Sequence, residues 1–389
     1  MLIERITSEN FSHLNGFVFS QSTLNKFIKE ETQHGQFDVA TETKNSLKNS
    51  SEGERKKALL NYIISQSPEY LIADNVFGNL DTQAQKKIEY TFTQLSLKIP
   101  IVQITNRKRD ILPFVQKVYR LENAKLTLIE DIEDTGKDTF HFKGKLPDDY
   151  KLSASTFKSL VKLNNVTVKY LDRVIVSNIC WEIKPGEFWQ LIGPNGSGKS
   201  TLLSLITGDN PKGYLQDLTL FGLKKGSGES VWDIKKNIGY FSSEMLRGFR
   251  RRDTVESMII SGFLDSIGLY KFPNERQIKI AHQWLRLLDM FEIKHKSFQF
   301  LSDGHKRLVL IARAMVKQPP LLILDEPTNG LDDSDALIFV ELINKIAKES
   351  KTAILFVSHR SEQELKPDFV YKLIPNSSGS VGAIVKKSK

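Results

Sequence analysis

The chain has 389 residues, of which 40% are hydrophobic and 26% are charged. This is the composition of a globular protein long enough for two domains, and it excludes a disordered or collagen-like chain. The single cysteine, Cys180, cannot form an internal disulfide or a thiolate metal site, which excludes a disulfide scaffold and a zinc ribbon. The formal charge of +9 is common at this length and does not by itself indicate nucleic-acid binding.

The hydrophobic segments are too short to cross a membrane. The longest apolar runs, such as 321–324 and 353–357, have the length of a strand, whereas a membrane helix needs about 18 apolar residues. The first residues, MLIERITSEN, lack the basic start and the long apolar segment of a secretory signal. The sequence therefore predicts a cytoplasmic protein, either free or peripheral at the inner face of the membrane.

Two segments of the sequence repeat each other. Residues 50–81 and 301–332 share a Ser-x-Gly before a helical stretch, a proline, a short apolar strand ending in aspartate, and a Leu-Asp pair. The glycine precedes the strand-end aspartate by 21 residues in both copies, from Gly53 to Asp74 and from Gly304 to Asp325. Such a repeat indicates two related structural units.

The repeat divides the sequence into three predicted segments. Residues 1–130 contain the first copy, and residues 161–389 contain the second copy within a longer alternation of strands and helices. Residues 131–160 are predicted to be an acidic linker, because this stretch has many acids and few large apolar residues. The alternation over 161–389 predicts an α/β fold with a largely parallel sheet.

A glycine-rich segment in the second unit matches the phosphate-loop pattern G-x-x-x-x-G-K-[ST], after a strand and before a helix. In this pattern, backbone N–H groups and a helix N-terminus surround a polyphosphate, the lysine reaches its terminal phosphates, and the serine hydroxyl binds Mg²⁺. Ser200 is therefore a predicted metal ligand. The predicted phosphate site consists of Gly193, Asn195, Gly196, Ser197, Gly198, Lys199, Ser200 and Thr201.

Two acids follow the apolar strand 321–324. Asp325 is predicted to bind Mg²⁺, directly or through a water, and Glu326 is predicted to polarise an attacking water. Acids at strand ends are usually just solvated. The two prolines before this strand and the paired acids after it favour the functional interpretation.

The segment Leu301-Ser302-Asp303-Gly304 opens a helix between the phosphate loop and the acid pair. Together the three motifs resemble those of the ABC ATPases, where this signature sequence binds the γ-phosphate of a nucleotide held by a partner cassette. The resemblance implies a P-loop NTPase fold of ABC type with ATP and Mg²⁺ as ligands. It also implies that Tyr170 stacks on adenine, that Leu331-Asp332 forms the D-loop, and that Glu326 and His359 are catalytic.

Two positions depart from the family pattern. Ser243 stands where most ABC cassettes have a glutamine that touches Mg²⁺ near the permease surface, and His305 ends the signature where Gln or Glu is usual. Segments 208–222, 227–245 and 261–270 nevertheless resemble the ModF and photorepair-type branch of twin-cassette ATP-binding proteins.

The first copy has lost several of these features. Subtracting the repeat offset of 251 from the position of Gly193 gives a negative number, so the first copy is predicted to be a partial, degenerate cassette without a phosphate loop. Asn75 stands in the place of Glu326, and Asn106 occupies the slot of the switch histidine. Its signature nevertheless keeps Ser51 and Gly53.

ABC cassettes pair head to tail, each nucleotide lying between the phosphate loop of one cassette and the signature of the other. The resemblance therefore implies that Ser51 and Gly53 complete the ATP site of the second cassette. Two alternatives are open at this point. The first half is a decayed remnant or the product of a misplaced start, or two second cassettes pair between chains as a homodimer.

The sequence predicts an ABC-type ATPase that binds and hydrolyses Mg·ATP. One interpretation is the soluble ATP-binding component of a transport system, molybdate-type by family resemblance, with a separately encoded membrane permease. The alternative is a non-transport switch that acts on nucleic acid or a ribonucleoprotein. The cluster of arginines between Arg247 and Arg252 and the serine at position 243 favour this alternative.

Overall fold

The structure is a computed structural model, and it describes residues 13–35, 37–41, 46–78, 80–122, 124–129, 140–150, 157–248, 253–266, 268–359, 362 and 364–386. Its contacts divide the chain into two units, Met1–Asp138 and Thr139–Lys389. This division falls inside the predicted linker. In the described part of the chain, no helix is both long enough and apolar enough to span a bilayer.

The first unit contains a parallel sheet and a separate antiparallel hairpin. The sheet has the strand order β1-β2-β3, and the hairpin consists of β4 and β5. Its elements are β1 (Gly16–Phe19), α1 (Gln21–His34), α2 (Glu52–Ser65), β2 (Tyr70–Asp74), α3 (Thr82–Ser96), β3 (Ile101–Ile104), β4 (Val118–Glu122) and β5 (Lys125–Ile129). Phe19, Leu59, Leu71 and Phe92 bring sheet and helices together in one core.

The second unit contains two sheets. One has the order β11-β12-β13-β8-β14-β15 and is parallel except for β15, and the other has the order β10-β9-β6-β7 and is antiparallel. Its elements are β6 (Val161–Tyr170), β7 (Arg173–Ile183), β8 (Phe188–Ile192), α4 (Lys199–Ile206), β9 (Asp217–Leu220), β10 (Leu223–Lys224), α5 (Val231–Lys235), β11 (Ile238–Ser242), α6 (Met245–Gly248), α7 (Val255–Ile260), α8 (Glu275–Leu287), α9 (Asp303–Met315), β12 (Leu321–Asp325), α10 (Asp333–Glu349), β13 (Ala353–Ser358), β14 (Phe369–Ile374) and β15 (Val381–Lys386).

The strand β12, which ends in Asp325, is buried on both faces. Leu322 and Leu324 belong to one apolar cluster, whereas Leu321 and Ile323 belong to a second cluster. A strand covered on both sides needs a continuous apolar run rather than an alternating pattern. The predicted α/β class with a largely parallel sheet is thus confirmed for this unit.

Part of the predicted linker packs on the second unit. Phe142 is buried in its core, the Leu146 N–H donates to Glu349 Oε2 at 3.2 Å, and the Asp148 N–H donates to Gln283 Oε1 at 3.1 Å. Residues 140–150 are therefore not a solvated connector. The acidic composition of this stretch masks two apolar residues, Phe142 and Leu146, which lie four residues apart and pack on the core.

Candidate functional site

The phosphate loop connects β8 to α4. Gly196 and Gly198 have φ angles of +76° and +95°, which glycine adopts without strain. A Cβ atom at Gly198 would also lie 2.6 Å from Val176 Cγ1. Only glycine fits the loop at this position, and the loop can therefore present backbone N–H groups to an anion.

Lys199 is the first residue of α4, and its side chain turns back over the loop. Its Nζ atom donates to the carbonyl oxygens of Gly193 and Pro194 at 2.7 and 3.2 Å, although the residue is only 9% exposed. Ser197 Oγ is buried and has no hydrogen-bond partner in the described part of the chain. A buried ammonium and an unpaired hydroxyl at a helix N-terminus fit a polyphosphate.

The parallel register brings the other predicted residues to the same edge of the sheet. Asp325 is aligned with Ser242 on β11 and with Val357 on β13, and Ser358 is aligned with Ile192 on β8. The residues that directly follow these strands therefore lie next to each other. They are the phosphate loop, Glu326, His359 and the segment that begins at Ser243.

Asp325 has a perturbed environment. Burial and, to a smaller extent, the adjacent Glu326 carboxylate raise the pKa of its carboxyl group to about 6, although a hydrogen bond from Tyr240 and the charge of Lys199 act in the opposite direction. The Tyr240 hydroxyl lies 3.4 Å from Asp325 Oδ2. A desolvated carboxylate close to the phosphate-loop lysine fits a divalent cation.

Glu326 contacts the predicted switch histidine. Its Oε2 atom lies 2.9 Å from His359 Nδ1 and accepts from Asn329 Nδ2 at 3.2 Å. His359 is buried, and its Nε2 atom has no partner among the residues that the structure describes. One imidazole nitrogen is thus fixed by the carboxylate, and the other is available to a ligand.

Tyr170 lies at the end of β6 beside an open cavity of about 900 Å³. Gly196 of the phosphate loop, Arg173 and Asn376 also line this cavity. The Tyr170 hydroxyl accepts from Asn210 Nδ2 at 2.9 Å, which fixes the ring. An aromatic ring and the phosphate loop therefore line the same cavity.

The signature serines of both units cap helices. Ser302 Oγ accepts from the His305 N–H at 3.3 Å at the start of α9. Ser51 forms a capping box at the start of α2, because its Oγ accepts from the Glu54 N–H at 3.3 Å and Glu54 Oε2 accepts from the Ser51 N–H at 2.8 Å. The Ser51 hydroxyl also donates to Glu54 Oε2 at 2.8 Å, and the two hydrogen bonds that this carboxylate accepts from Ser51 lower the pKa of Glu54.

Gly53 and the replaced catalytic positions also lie in described parts of the first unit. Gly53 belongs to the first turn of α2, Asn75 follows β2, and Asn106 is an exposed residue that follows β3. Ser51 and Gly53 belong to the first unit, whereas the phosphate loop belongs to the second. The role of these two residues at an ATP site therefore stays a prediction. Residues 249–252 of the arginine cluster lie outside the described residues.

Several residues near the site had not been predicted. Tyr240 contacts Asp325, Asn329 contacts Glu326, and Asn210 contacts Tyr170. The fourth, Arg307, donates to the Pro327 and Asn329 carbonyls. Of these residues, Asn329 could most easily have been predicted from the sequence, because it lies between Glu326 and the D-loop pair Leu331-Asp332.

Comparisons with known proteins agree with this geometry. The family profile described as ABC transporter matches residues 176–329, which include the phosphate loop, the signature and the acid pair. The ABC transporter ATP-binding protein ModF of Escherichia coli K12 is 40% identical over 342 residues, which cover 84% of this chain and 70% of that protein. The chain belongs to the ABC transporter ATP-binding protein family.

Other members of the ABC family are similar at lower sequence identity. An uncharacterized ABC transporter ATP-binding protein of Schizosaccharomyces pombe is 30% identical over 82% of this chain and 66% of its own length. The zinc uptake system ATP-binding protein ZurA of Listeria monocytogenes is 35% identical over 52% of this chain and 77% of its own. The P-loop fold of ABC type is thereby confirmed.

Proposed function

We propose that the second unit binds Mg·ATP and hydrolyses it to drive a transport cycle. The observation that carries this proposal is the convergence of Lys199, Asp325, Glu326 and His359 at one edge of the parallel sheet. Glu326 and His359 are 2.9 Å apart, and the pKa of Asp325 responds to the Lys199 charge. Each group has a distinct task in phosphoryl transfer.

Lys199 and the phosphate loop bind the polyphosphate. The Lys199 ammonium exchanges its contacts with the Gly193 and Pro194 carbonyls for charge-assisted bonds to phosphate oxygens. Backbone N–H groups of residues 195–198 and the first turn of α4, where Thr201 lies, surround the same anion. The buried Ser197 hydroxyl then gains a partner.

Ser200 and Asp325 are the residues that would hold Mg²⁺, and their oxygen atoms are the ligands this ion prefers. When bound, Mg²⁺ neutralises negative charge on the terminal phosphates. Binding also requires Asp325 to be ionised. The Tyr240 hydroxyl donates to the Asp325 carboxylate and so favours the ionised form.

Glu326 and His359 divide the remaining chemistry. Glu326 orients a water for in-line attack and accepts its proton, while the Asn329 amide holds the carboxylate in place. His359 uses Nδ1 toward Glu326 and directs Nε2 to the γ-phosphate.

Tyr170 binds the nucleoside. Its ring stacks on adenine at the mouth of the cavity that it shares with Gly196. The hydrogen bond from Asn210 limits rotation of the ring and so reduces the entropy lost on stacking.

The partner that we propose is a separately encoded membrane permease. Membership of the ABC transporter ATP-binding family supports this proposal, as do the names of the relatives in Escherichia coli and Listeria monocytogenes. A position in the cytoplasm at the inner face of the membrane belongs to the same proposal. The molybdate-type cargo implied by the sequence resemblance stays a prediction.

We further propose that the first unit is a partial cassette whose Ser51 hydroxyl and Gly53 N–H complete the ATP site. The capping box supports this, since it fixes the serine and orients the N–H groups of the first turn of α2. An anion at this N-terminus would satisfy groups that the helix itself leaves unpaired. Pairing between the second units of two chains is the competing assembly.

The test is ATP turnover by the purified full chain, measured as phosphate release, together with ATP affinity measured by calorimetry. We expect Mg²⁺-dependent turnover by the wild-type protein. Glu326→Gln should bind ATP with similar affinity and lose about 10²–10³-fold in turnover, because it keeps the shape and loses the base. Equal turnover by Glu326→Gln and wild type would rule out Glu326 as the base.

A further inference from the structure

His359 lies just beyond the support of the sheet. It directly follows Ser358, which ends β13 and is the last residue of that strand to be aligned with β8. The imidazole is nevertheless buried, and its Nδ1 atom lies 2.9 Å from Glu326 Oε2. Because the backbone ladder has ended at this point, the side chains of neighbouring residues have to fix the position of His359.

The first of these contacts comes from Gln190, in the middle of β8. Its Nε2 atom donates to Ser358 Oγ at 3.2 Å, and both residues are buried. Gln190 is aligned with Phe356, so it reaches the next residue of β13 on the same face. The rest of β8 is apolar, and an amide buried in such a strand is costly unless it is hydrogen-bonded. The segment that carries His359 is thus anchored at its start.

The second contact joins the turn after Glu326 to the segment after His359. Thr328 Oγ1 donates to Glu362 Oε1 at 2.6 Å, and both residues are buried. A hydroxyl that donates to a carboxylate makes a charge-assisted bond, which is roughly twice as strong as a neutral one. Thr328 follows Glu326 by two residues, and Glu362 follows His359 by three. This bond therefore joins the two catalytic segments a second time.

The turn that carries Thr328 is itself held by the signature helix. Arg307 of α9 is buried and donates to the carbonyl oxygens of Pro327 and Asn329. These two residues flank Thr328 in the sequence. A turn with a fixed backbone thus presents the Thr328 hydroxyl to Glu362.

The first unit lacks both catalytic groups, and it also lacks this hydroxyl–carboxylate pair. Subtracting the repeat offset of 251 from the position of Thr328 gives Phe77, whose ring is buried in the core of its unit. Asn106 occupies the slot of His359, and three residues further on stands Arg109, which is exposed. The pair therefore occurs in the unit that has the Glu-His contact and is replaced in the unit that has asparagines instead.

We propose that Thr328, Glu362 and Gln190 are positioning residues that hold His359 ready for the γ-phosphate before a nucleotide binds. Each acts through His359 rather than on the substrate, and the inference rests on the function proposed above. A histidine that is already oriented loses little freedom when charge develops on the γ-phosphate. The benefit should therefore appear in kcat rather than in KM.

The first test compares Thr328→Val with Thr328→Ser in the full chain. Valine keeps the shape of threonine and removes the hydroxyl, so kcat should fall about tenfold while KM for ATP changes by less than about threefold. Serine returns the hydroxyl and should restore kcat to within about threefold of wild type. Equal kcat for Thr328→Val and wild type would overturn the proposal.

Thr352→Val is the matched control for the loss of a buried hydroxyl. Thr352 directly precedes β13, at the opposite end of the strand from His359, and its Oγ1 atom donates to the Pro319 carbonyl at 2.8 Å. This variant should unfold at lower urea concentration, as Thr328→Val should, and keep the wild-type kcat. The same loss of kcat in both valine variants would show that reduced stability explains the effect, and would contradict the proposal.

Modification by diethyl pyrocarbonate tests the position of His359 without nucleotide. The reagent acylates imidazole groups, mass spectrometry gives a rate for each histidine, and a buried histidine reacts as its surroundings open. His359 should react at least about threefold faster in Thr328→Val than in wild type. The exposed His141 and the partly buried His282 should react at unchanged rates, which excludes general loosening of the unit. An unchanged rate for His359 would overturn the proposal.

Gln190→Met removes the amide and keeps an unbranched side chain of similar size. It should also speed the modification of His359, because Ser358 loses its donor. An unchanged rate would overturn the role of Gln190.

The two kinds of measurement separate this inference from the proposed function. If the wild-type protein does not hydrolyse ATP, the proposed function fails, and the modification rates still show whether Thr328 holds His359. If the wild-type protein hydrolyses ATP and Thr328→Val matches it in both kcat and modification rate, the positioning inference alone fails.

Discussion

Lys56 and Arg307 hold the same position in the two units. Each is five residues after the serine that caps its helix, and each binds the loop that follows the aspartate strand of its unit. Lys56 Nζ donates to the Gly78 carbonyl at 2.7 Å, and the Arg307 guanidinium donates to the Asn329 carbonyl. Each buried cation ties the signature helix to the loop beside the strand-end acid.

We expect Lys56→Met to loosen this loop in the first unit. Three carbonyl oxygens, those of Asn75, Val76 and Gly78, would lose their donor, at a cost of about 1–3 kcal/mol for each group left buried. Lys56→Arg should be tolerated, because Arg307 makes the equivalent contacts. Tryptophan fluorescence does not report on the first unit, because all four tryptophans lie in the second. Hydrogen exchange over residues 70–78 is therefore the suitable measurement. Unchanged hydrogen exchange in Lys56→Met would show that Lys56 does not hold this loop in place.

Lys199→Ala should weaken ATP binding by two orders of magnitude or more. The substitution removes the charge that neutralises the terminal phosphates and leaves the glycine loop intact. Calorimetry with Mg·ATP measures the effect, and Lys184→Ala, which removes an exposed lysine of the same unit, is the matched control. Wild-type affinity in Lys199→Ala would place the phosphate site elsewhere.

Asp325→Asn should stabilise the second unit at neutral pH while weakening Mg²⁺-dependent ATP binding. The folded-state pKa of about 6 lies above the unfolded value of 3.8, so the stabilising contribution of the protonated carboxyl is full below pH 3.8 and is lost as the pH rises through 6. The difference corresponds to at most about 3 kcal/mol at neutral pH.

Tryptophan fluorescence during urea unfolding, without nucleotide, measures the free energy of unfolding of the second unit. The gain of Asp325→Asn over wild type should be present at pH 7.5 and shrink toward pH 4.5, where the aspartate itself is largely protonated. Tyr240→Phe keeps the aspartate and removes a hydrogen bond that favours its ionised form, so this variant should lose stability at pH 7.5, opposite in sign to Asp325→Asn. A gain that does not change with pH would show that the carboxyl charge is not its origin.

Ser51→Asp and Ser302→Asp form a matched pair that tests which signature serves the nucleotide. Aspartate keeps the helix cap at both positions and adds a negative charge that repels the γ-phosphate. If the first unit completes the site, Ser51→Asp should lower turnover by about 10²-fold and Ser302→Asp should change it by less than about threefold.

The reverse pattern, with turnover that rises steeply with protein concentration, would assign the site to two second units from different chains. Equal turnover by wild type, Ser51→Asp and Ser302→Asp would show that neither signature serine takes part in hydrolysis. Helix content measured by circular dichroism confirms that the caps are kept.

The sequence was sufficient to predict the groups that follow strands in one parallel sheet. Asp325 directly follows one apolar run, His359 lies two residues after another, and the loop that leads to Lys199 begins directly after a third. The carboxyl ends of parallel strands share an edge. The contact between Tyr240 and Asp325 was not predictable, because it spans 85 residues and depends on the register of two strands. The packing of Phe142 was missed because composition averages over a segment and hides a single anchor residue.

Asn75 and Glu326 have nearly the same backbone conformation, with φ angles of +50° and +48°. Their N–H groups donate to Ile104 and Val357 at the same distance of 3.0 Å. Asparagine tolerates a left-handed conformation, whereas glutamate incurs a cost of roughly 1 kcal/mol there. The two turns therefore share one backbone conformation, and the carboxylate of the second unit carries a conformational strain that the asparagine of the first unit does not.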